Sequence, residues 1–203
     1  MFSKEGLKSK EEYRFQAKEI RKNLNTSLIS AAICRLIIDM KEYKQAKIIA
    51  GFYPFDKEIN IRPLFEDSSK KWFLPKVKND DIMVFYPYTN FFDMEKNKFG
   101  IYEPREENEL NPEKIDIIII PALIADKTGY RLGYGKGYYD KFLARLSKKR
   151  VKIVPIPEEL MIEKLPFDKF DVPVDFAVTQ NKIYDFRVKK GEKNAYCSHN
   201  DKG

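Results

Sequence analysis

Apolar residues recur along this chain at two different spacings, and the change from one to the other marks out its elements. Ser9, Lys10, Glu11 and Glu12 have capping-box order, with Ser9 placed to accept from the backbone and Glu12 to reach back, so a helix is expected to start there. Tyr13, Ala17, Ile20 and Leu24 form its apolar stripe, while Lys10, Arg14 and Lys18 follow one another on a neighbouring face with Arg21 a short turn beyond. Asn25, Thr26 and Ser27 read as a break and a new cap, followed by a second helix to about Met40 that buries Ile29, Ile33, Leu36, Ile37 and Met40. Residues 48–55 then read as a buried strand closed by Pro54, and Asn60 as the cap of a short helix holding Leu64 and Phe65. Further strands are expected at 72–77, 82–88, 115–123, 151–156 and 176–179. The run IDIIIIPALI, residues 115–124, is what a central strand covered on both faces looks like, so the pattern predicts an α/β protein with a mostly parallel sheet and helices on each side.

With 203 residues the chain is expected to form one domain over 1–186, followed by a polar tail at 187–203. No internal repeat is evident, and 94–113 reads as a long polar loop. Hydrophobic residues make up 43% and aromatic residues 14% of the sequence, which rules out global disorder. The longest apolar run is broken by Asp116 and Pro121 and falls short of the roughly 20 residues of a membrane span. The first residues carry both charges without the apolar stretch of a signal peptide, so a cytoplasmic protein is expected. Two cysteines, Cys34 and Cys197, allow neither a disulfide framework nor a paired-cysteine metal site, and the solitary His199 argues against histidine-based metal or triad chemistry. Lys and Arg outnumber Asp and Glu by 38 to 31, a net charge of +7 that favours anionic ligands, although a dispersed, Lys-rich excess also fits plain solvation.

Candidate chemistry concentrates in residues 126–146, DKTGYRLGYGKGYYDKFLARL, which follow the most buried strand. Gly129, Gly133, Gly135 and Gly137 precede an amphipathic helix carrying Tyr138, Phe142 and Leu146. Glycines let a backbone approach a ligand closely and turn N–H groups inward, a helix start adds positive potential, and Arg131 and Lys136 add two cations, so the segment suits phosphate. Its spacing is neither that of a P-loop nor that of a dinucleotide fold, and a plain strand-to-helix loop with glycines at tight turns is the alternative.

The segment RLGYGKGYYD, residues 131–140, resembles the signature of the 5-formyltetrahydrofolate cyclo-ligases, also called methenyltetrahydrofolate synthetases. The resemblance extends in family order through GFYPFDKEIN at 51–60, FLPKV at 73–77, FGIYEP at 99–104, PALIADKTGYRLGYGKGYYDKFL at 121–143 and LPFDKFDVPVDFAVT at 165–179. It implies a three-layer α/β sandwich and conversion of 5-formyltetrahydrofolate and ATP, with Mg²⁺, into 5,10-methenyltetrahydrofolate, ADP and phosphate. ATP would phosphorylate the formyl oxygen and the folate N10 would then attack the activated carbon.

By position, the resemblance assigns ATP binding to Lys10, Arg14, Arg131, Leu132, Gly133, Tyr134, Gly135, Lys136, Gly137, Tyr138 and Tyr139, with Arg131, Lys136 and Tyr139 also catalytic. The amino-terminal motif has a second possible register ending at Arg21, which lacks the matching Lys, and a solvated basic helix face is the bland reading of Lys10 and Arg14. Tyr53, Glu58 and Phe99 fall at folate-contacting positions, Glu58 accepting from pterin N–H groups; Tyr53 and Phe99 read equally well as packing residues. Asp140 and Asp171 match the carboxylates that serve Mg²⁺, although apart from the family they read as a helix-start charge and a turn residue. Phe170 departs from the His that many relatives place before the second Asp. The implied partners are ATP and a folate, polyglutamylated or not, bound by a monomer without membrane or nucleic-acid partners. A non-catalytic basic nucleotide- or RNA-binding module, and an α/β protein for a phosphosugar or coenzyme A, are the competing readings.

Overall fold

The computed structural model describes residues 8–78, 82–97, 100–105, 108–147 and 150–187. Helix α1 (Lys10–Lys22) opens with the expected capping box, the Ser9 hydroxyl oxygen accepting from the Glu12 N–H at 3.2 Å and the Glu12 carboxylate from the Ser9 N–H at 2.7 Å. Helix α2 (Thr26–Asp39) is capped by the Asn25 side chain, and α3 (Lys41–Gln45) follows directly. The strands, in chain order, are β1 (Ile48–Ala50), β2 (Lys71–Lys78), β3 (Ile82–Tyr88), β4 (Met94–Lys96), β5 (Tyr102–Pro104), β6 (Ile117–Ile119), β7 (Ile124–Asp126), β8 (Arg131–Leu132), β9 (Val151–Pro155), β10 (Met161–Ile162), β11 (Phe176–Val178) and β12 (Ile183–Asp185). A short helix α4 (Tyr138–Leu143) lies between β8 and β9.

Seven strands form the central sheet in the order β12-β11-β9-β6-β1-β2-β3. Neighbours from β11 to β2 are parallel, and the two edge strands β12 and β3 are antiparallel. Side chains alternate between its faces, as a pleated backbone requires. Ile49, Ile117, Ile119, Ile153, Phe176 and Val178 pack with Ile29, Ile33 and Ile37 of α2, whereas Ala50, Ile118, Ile120, Val154 and Ala177 pack with Tyr13 and Ala17 of α1 and with Phe142 and Leu143 of α4. The apolar run in the sequence is thus two alternating faces, both buried, and each enclosed Ile contributes roughly 2 kcal/mol. The result is the expected three-layer α/β sandwich with helices on both sides. Among the described residues no helix is long and apolar enough to cross a membrane.

Several details differ from the sequence expectation. The strand expected over 48–55 stops at Ala50, because the chain turns away through Gly51 and Pro54 after a last ladder bond from Gly51 N–H to the Phe73 carbonyl at 2.9 Å. The short helix after Asn60 is a 3₁₀ turn over Arg62–Glu66, with Asn60 Oδ1 accepting from the Arg62 N–H at 3.2 Å. Apolar residues beyond Ile119 do not prolong β6; they enter β7, which joins β8 and β10 in a second sheet of three strands. The polar stretch 94–113 contains the β4–β5 hairpin, which is too short and too polar to show a period-2 signature. At the other end, Arg187 is tied down by ion pairs to Asp185 (2.9 Å) and Glu42 (2.8 Å) and by stacking over Phe176; the remainder of the expected tail, 188–203, lies outside the described residues.

Candidate active site

The glycine-rich segment is held by a buried carboxylate. Asp126, fully enclosed at the end of β7, accepts from the Thr128 and Tyr130 N–H groups and the Thr128 hydroxyl through Oδ1 (2.7–2.9 Å), and from the Leu165 N–H through Oδ2 at 2.8 Å. Four donors compensate the burial of one charge and fix the turn that leads into β8. Gly129, at φ +92, lies against the Val174 carbonyl and the Phe186 ring, where a Cβ would approach to 3.2 Å.

From there the chain runs along one rim of the fold. Arg14, on α1, donates from Nε to the Gly133 carbonyl at 3.0 Å and pairs with Glu11 at 2.9 Å. Gly135 has φ +100, and a Cβ built on it would stand 3.4 Å from the Arg14 guanidinium carbon. The positive φ calls for glycine there. Lys136 is exposed and has no ion pair among the described residues. Leu132 differs from the other loop residues in that its side chain is buried in the core and its backbone is spent on the β7–β8 ladder and on the Leu123 N–H. Gly137 caps α4 at φ +69, and Tyr138 packs partly against the core.

Asp140 and Asp171 meet through the backbone of the next residue. Asp140 Oδ1 accepts from Arg131 Nη2 and from the Val172 N–H, both at 3.1 Å, while Arg131 Nη1 donates to the Val172 carbonyl at 2.6 Å. Asp171 Oδ2 accepts from the Asp168 N–H at 2.8 Å and from the Lys10 ammonium at 2.6 Å; Lys10 also reaches Asp168 at 2.7 Å. Among the described residues, every bond to Asp140 falls on Oδ1 and every bond to Asp171 on Oδ2, so each keeps a second carboxylate oxygen. No cluster of three or more metal-ligating side chains is found among the described residues. Phe170 points to solvent, 72% exposed, with the Lys169 ammonium over its ring.

Glu58 stands on a tight turn made possible by Asp56 in the left-handed region (φ +53), and its carboxylate folds back to accept from the Phe55 N–H at 2.9 Å. Burial pushes its pKa up to about 7, against the opposing effects of that N–H, the Arg21 charge and the nearby Tyr134 hydroxyl. Burial and the neighbouring Glu58 charge hold the Tyr134 hydroxyl above the ordinary phenol range, so it remains a donor. Burial likewise raises Tyr139, whose hydroxyl is enclosed without a hydrogen-bond partner among the described residues and senses both Glu58 and Arg131. Arg21 is buried beneath this group, donating to the carbonyls of Lys57 (2.9 Å), Ala122 (2.5 Å) and Leu123 (3.4 Å). Sequence reasoning had set Arg21 aside, yet its spacing from Tyr13 and Ala17 places it on the buried stripe of α1, a signal that was present.

The structure therefore brings Lys10, Arg14, the 131–139 loop, Asp140 and Asp171 into one connected network, with Glu58 near Tyr134 of that loop. Tyr53 stands apart from that network in an aromatic cluster with Phe91 and Tyr102, its hydroxyl accepting from Arg62. Phe99 lies outside the described residues.

The family model described as "5-formyltetrahydrofolate cyclo-ligase family" matches residues 7–180. A 5-formyltetrahydrofolate cyclo-ligase of Haemophilus influenzae is 30% identical over 177 residues, covering 81% of this chain and 94% of the relative, and one of Escherichia coli is 28% identical over 149 residues, covering 70% and 82%. The solved structure of a 5,10-methenyltetrahydrofolate synthetase from Aquifex aeolicus superposes with a TM-score of 0.79 at 32% identity, covering 94% of this chain and 99% of that one. The chain belongs to the 5-formyltetrahydrofolate cyclo-ligase family.

Proposed function

We propose that the chain converts 5-formyltetrahydrofolate and ATP into 5,10-methenyltetrahydrofolate, ADP and phosphate. The observation that carries this reading is that a single loop touches both halves of such a site. Gly133 takes the Arg14 guanidinium through its carbonyl, and Tyr134, the next residue, stands near enough to Glu58 to influence its charge. Cations and glycines on one side of the loop suit a triphosphate, and a carboxylate on the other suits the N–H donors of a pterin.

The formyl oxygen is a poor leaving group. In the proposed course it attacks the γ-phosphorus and ADP departs; N10 then adds to the activated formyl carbon, loses its proton, and the C–O bond breaks with release of phosphate. Arg14, Lys10, Arg131 and Lys136 supply positive charge for the transferring group, and Tyr139 supplies an unspent hydroxyl donor between Glu58 and Arg131. Holding ATP and folate in line across one loop is worth as much as about 7–11 kcal/mol of barrier when alignment is good. Asp140 and Asp171, each with a carboxylate oxygen to spare and joined through Val172, fit a hard cation that takes the rest of its shell from phosphate and water, and they would hold Mg²⁺. The ion would neutralise charge on the phosphate oxygens.

The test is to mix purified protein with 5-formyltetrahydrofolate and follow the near-ultraviolet absorbance of the methenyl product. Product formation only when ATP and Mg²⁺ are both present is expected; none under any combination would overturn the reading.

A further inference from the structure

Beside Tyr53, a cavity of about 330 Å³ opens between the Arg62–Glu66 turn and the residues leading into β4. Tyr53, Asn60, Arg62, Glu66, Tyr88 and Phe91 line it together with Pro63. The Arg62 guanidinium is fixed on its inner edge, Nε donating to Asn60 Oδ1 at 3.2 Å and Nη1 to the Tyr53 hydroxyl at 3.1 Å, and it sits 5.7 Å from the centroid of the Tyr53 ring. Both acceptors are neutral. Neither Arg62 nor Glu66 has an ion pair among the described residues, although they stand at the two ends of one 3₁₀ segment and line the same cavity. An arginine oriented in advance, with its positive charge unmatched, is built to receive a carboxylate. An acceptor carboxylate beside it asks the same ligand for a donor N–H. Phe91, 44% exposed and 4.9 Å from Tyr102 in ring-to-ring distance, adds an aromatic surface at the mouth. Aromatic wall, anion receptor and N–H acceptor together describe an aroyl amino acid.

We propose that this cavity receives the benzoylglutamate end of a folate, with the ring against Phe91 and Tyr53, the amide N–H on Glu66 and a glutamate carboxylate on Arg62. The assignment rests on the folate reading above and extends it, since Glu58 and Tyr53 belong to the same short segment of the chain. The volume falls at the lower end of the usual range for small-molecule pockets, which suits part of a ligand better than the whole of one.

The probe is N-(4-aminobenzoyl)glutamate, titrated calorimetrically into the wild-type protein and into Arg62→Met, a variant that keeps the apolar stem of an exposed side chain; 4-aminobenzoate, which lacks the glutamate, is the control. Binding of the probe by the wild type, weakened about tenfold or more in Arg62→Met while the control is unaffected, is the expected result, and Arg62→Lys should recover part of the loss. Equal affinity of wild type and Arg62→Met, or no binding by the wild type, would overturn the proposal. The measurement needs no turnover. Arg62-dependent binding in a protein that leaves 5-formyltetrahydrofolate unchanged would support the cavity assignment and sink the cyclo-ligase reading, whereas turnover with Arg62-independent binding would sink the cavity assignment alone.

Discussion

The Lys10 ammonium lies 2.6 Å from the Asp171 carboxylate, and Arg131 lies 3.1 Å from Asp140, so each acid proposed to hold the metal is neutralised by a cation proposed to hold phosphate. Arrival of nucleotide and metal together would exchange these partners, the cations moving toward phosphate and the acids toward the ion. Such an exchange keeps charge balanced at every stage and couples the two ligands.

The two acids should differ when neutralised. Asp171→Asn leaves Lys10 a second partner in the exposed Asp168, so stability should change by no more than about 1 kcal/mol. Asp140→Asn leaves the buried Arg131 without its anion and should cost about 2 kcal/mol. Both variants should need more Mg²⁺ for half-maximal activity and should bind nucleotide with weakened dependence on the metal, read by calorimetry. Unchanged metal dependence in both would show that other groups hold the ion.

Glu58 predicts a pH dependence for folate alone. Its carboxyl is pushed up to about 7 and must be ionised to accept pterin N–H groups, so binding should be full above that value and decline below it. Between about pH 8 and pH 6 the folate KM should rise roughly tenfold while the ATP KM changes little. Glu58→Gln should abolish the trend. Without ligand the sign reverses for stability: a raised carboxyl favours the folded state at low pH and loses that benefit as pH climbs from its unfolded value toward 7, so Glu58→Gln should stabilise the free protein above neutrality. A folate KM that is flat with pH in the wild type would contradict the role.

Arg21 acts through Glu58. It ties α1 to the Lys57 carbonyl and to the segment entering β7, and its charge holds the Glu58 pKa below what burial alone would give. Arg21→Met should therefore move the midpoint of the folate pH profile upward and cost about 2–4 kcal/mol through the orphaned carbonyls. Arg21→Lys should restore part of the pH shift. Destabilisation with an unmoved midpoint would reduce Arg21 to a structural brace.

Gly135→Ala adds a methyl group 3.4 Å from the Arg14 guanidinium at a backbone angle that alanine resists. A stability loss of about 1 kcal/mol is expected, with the ATP KM raised and the folate KM little changed. Equal effects on both substrates would separate the loop from the nucleotide.

How much of this was legible depended on whether a signal was local. The capping box at Ser9, the alternating faces of 117–120 and the glycine segment are all written in adjacent residues, and the structure carries each of them. What escaped was set by partners distant in the chain. The second sheet exists because Ile124–Asp126, which pairs locally with Arg131–Leu132, also finds Met161–Ile162 far along the chain, and strands so short have no periodicity to read. Arg21 shares the buried spacing of Tyr13 and Ala17, but the three carbonyls that receive it come from elsewhere in the chain. The second oxygens of Asp140 and Asp171, and the unmatched charge of Arg62, likewise belong to tertiary geometry.

The central claim, that ATP activates the formyl oxygen itself, is tested most directly by isotope transfer. 5-Formyltetrahydrofolate carrying ¹⁸O in the formyl group is turned over with unlabelled ATP in unlabelled water, and the released phosphate is analysed by mass spectrometry. The account predicts one labelled oxygen in each phosphate, because the bond between formyl oxygen and phosphorus survives when the carbon–oxygen bond breaks. Methenyl product accompanied by unlabelled phosphate would contradict it.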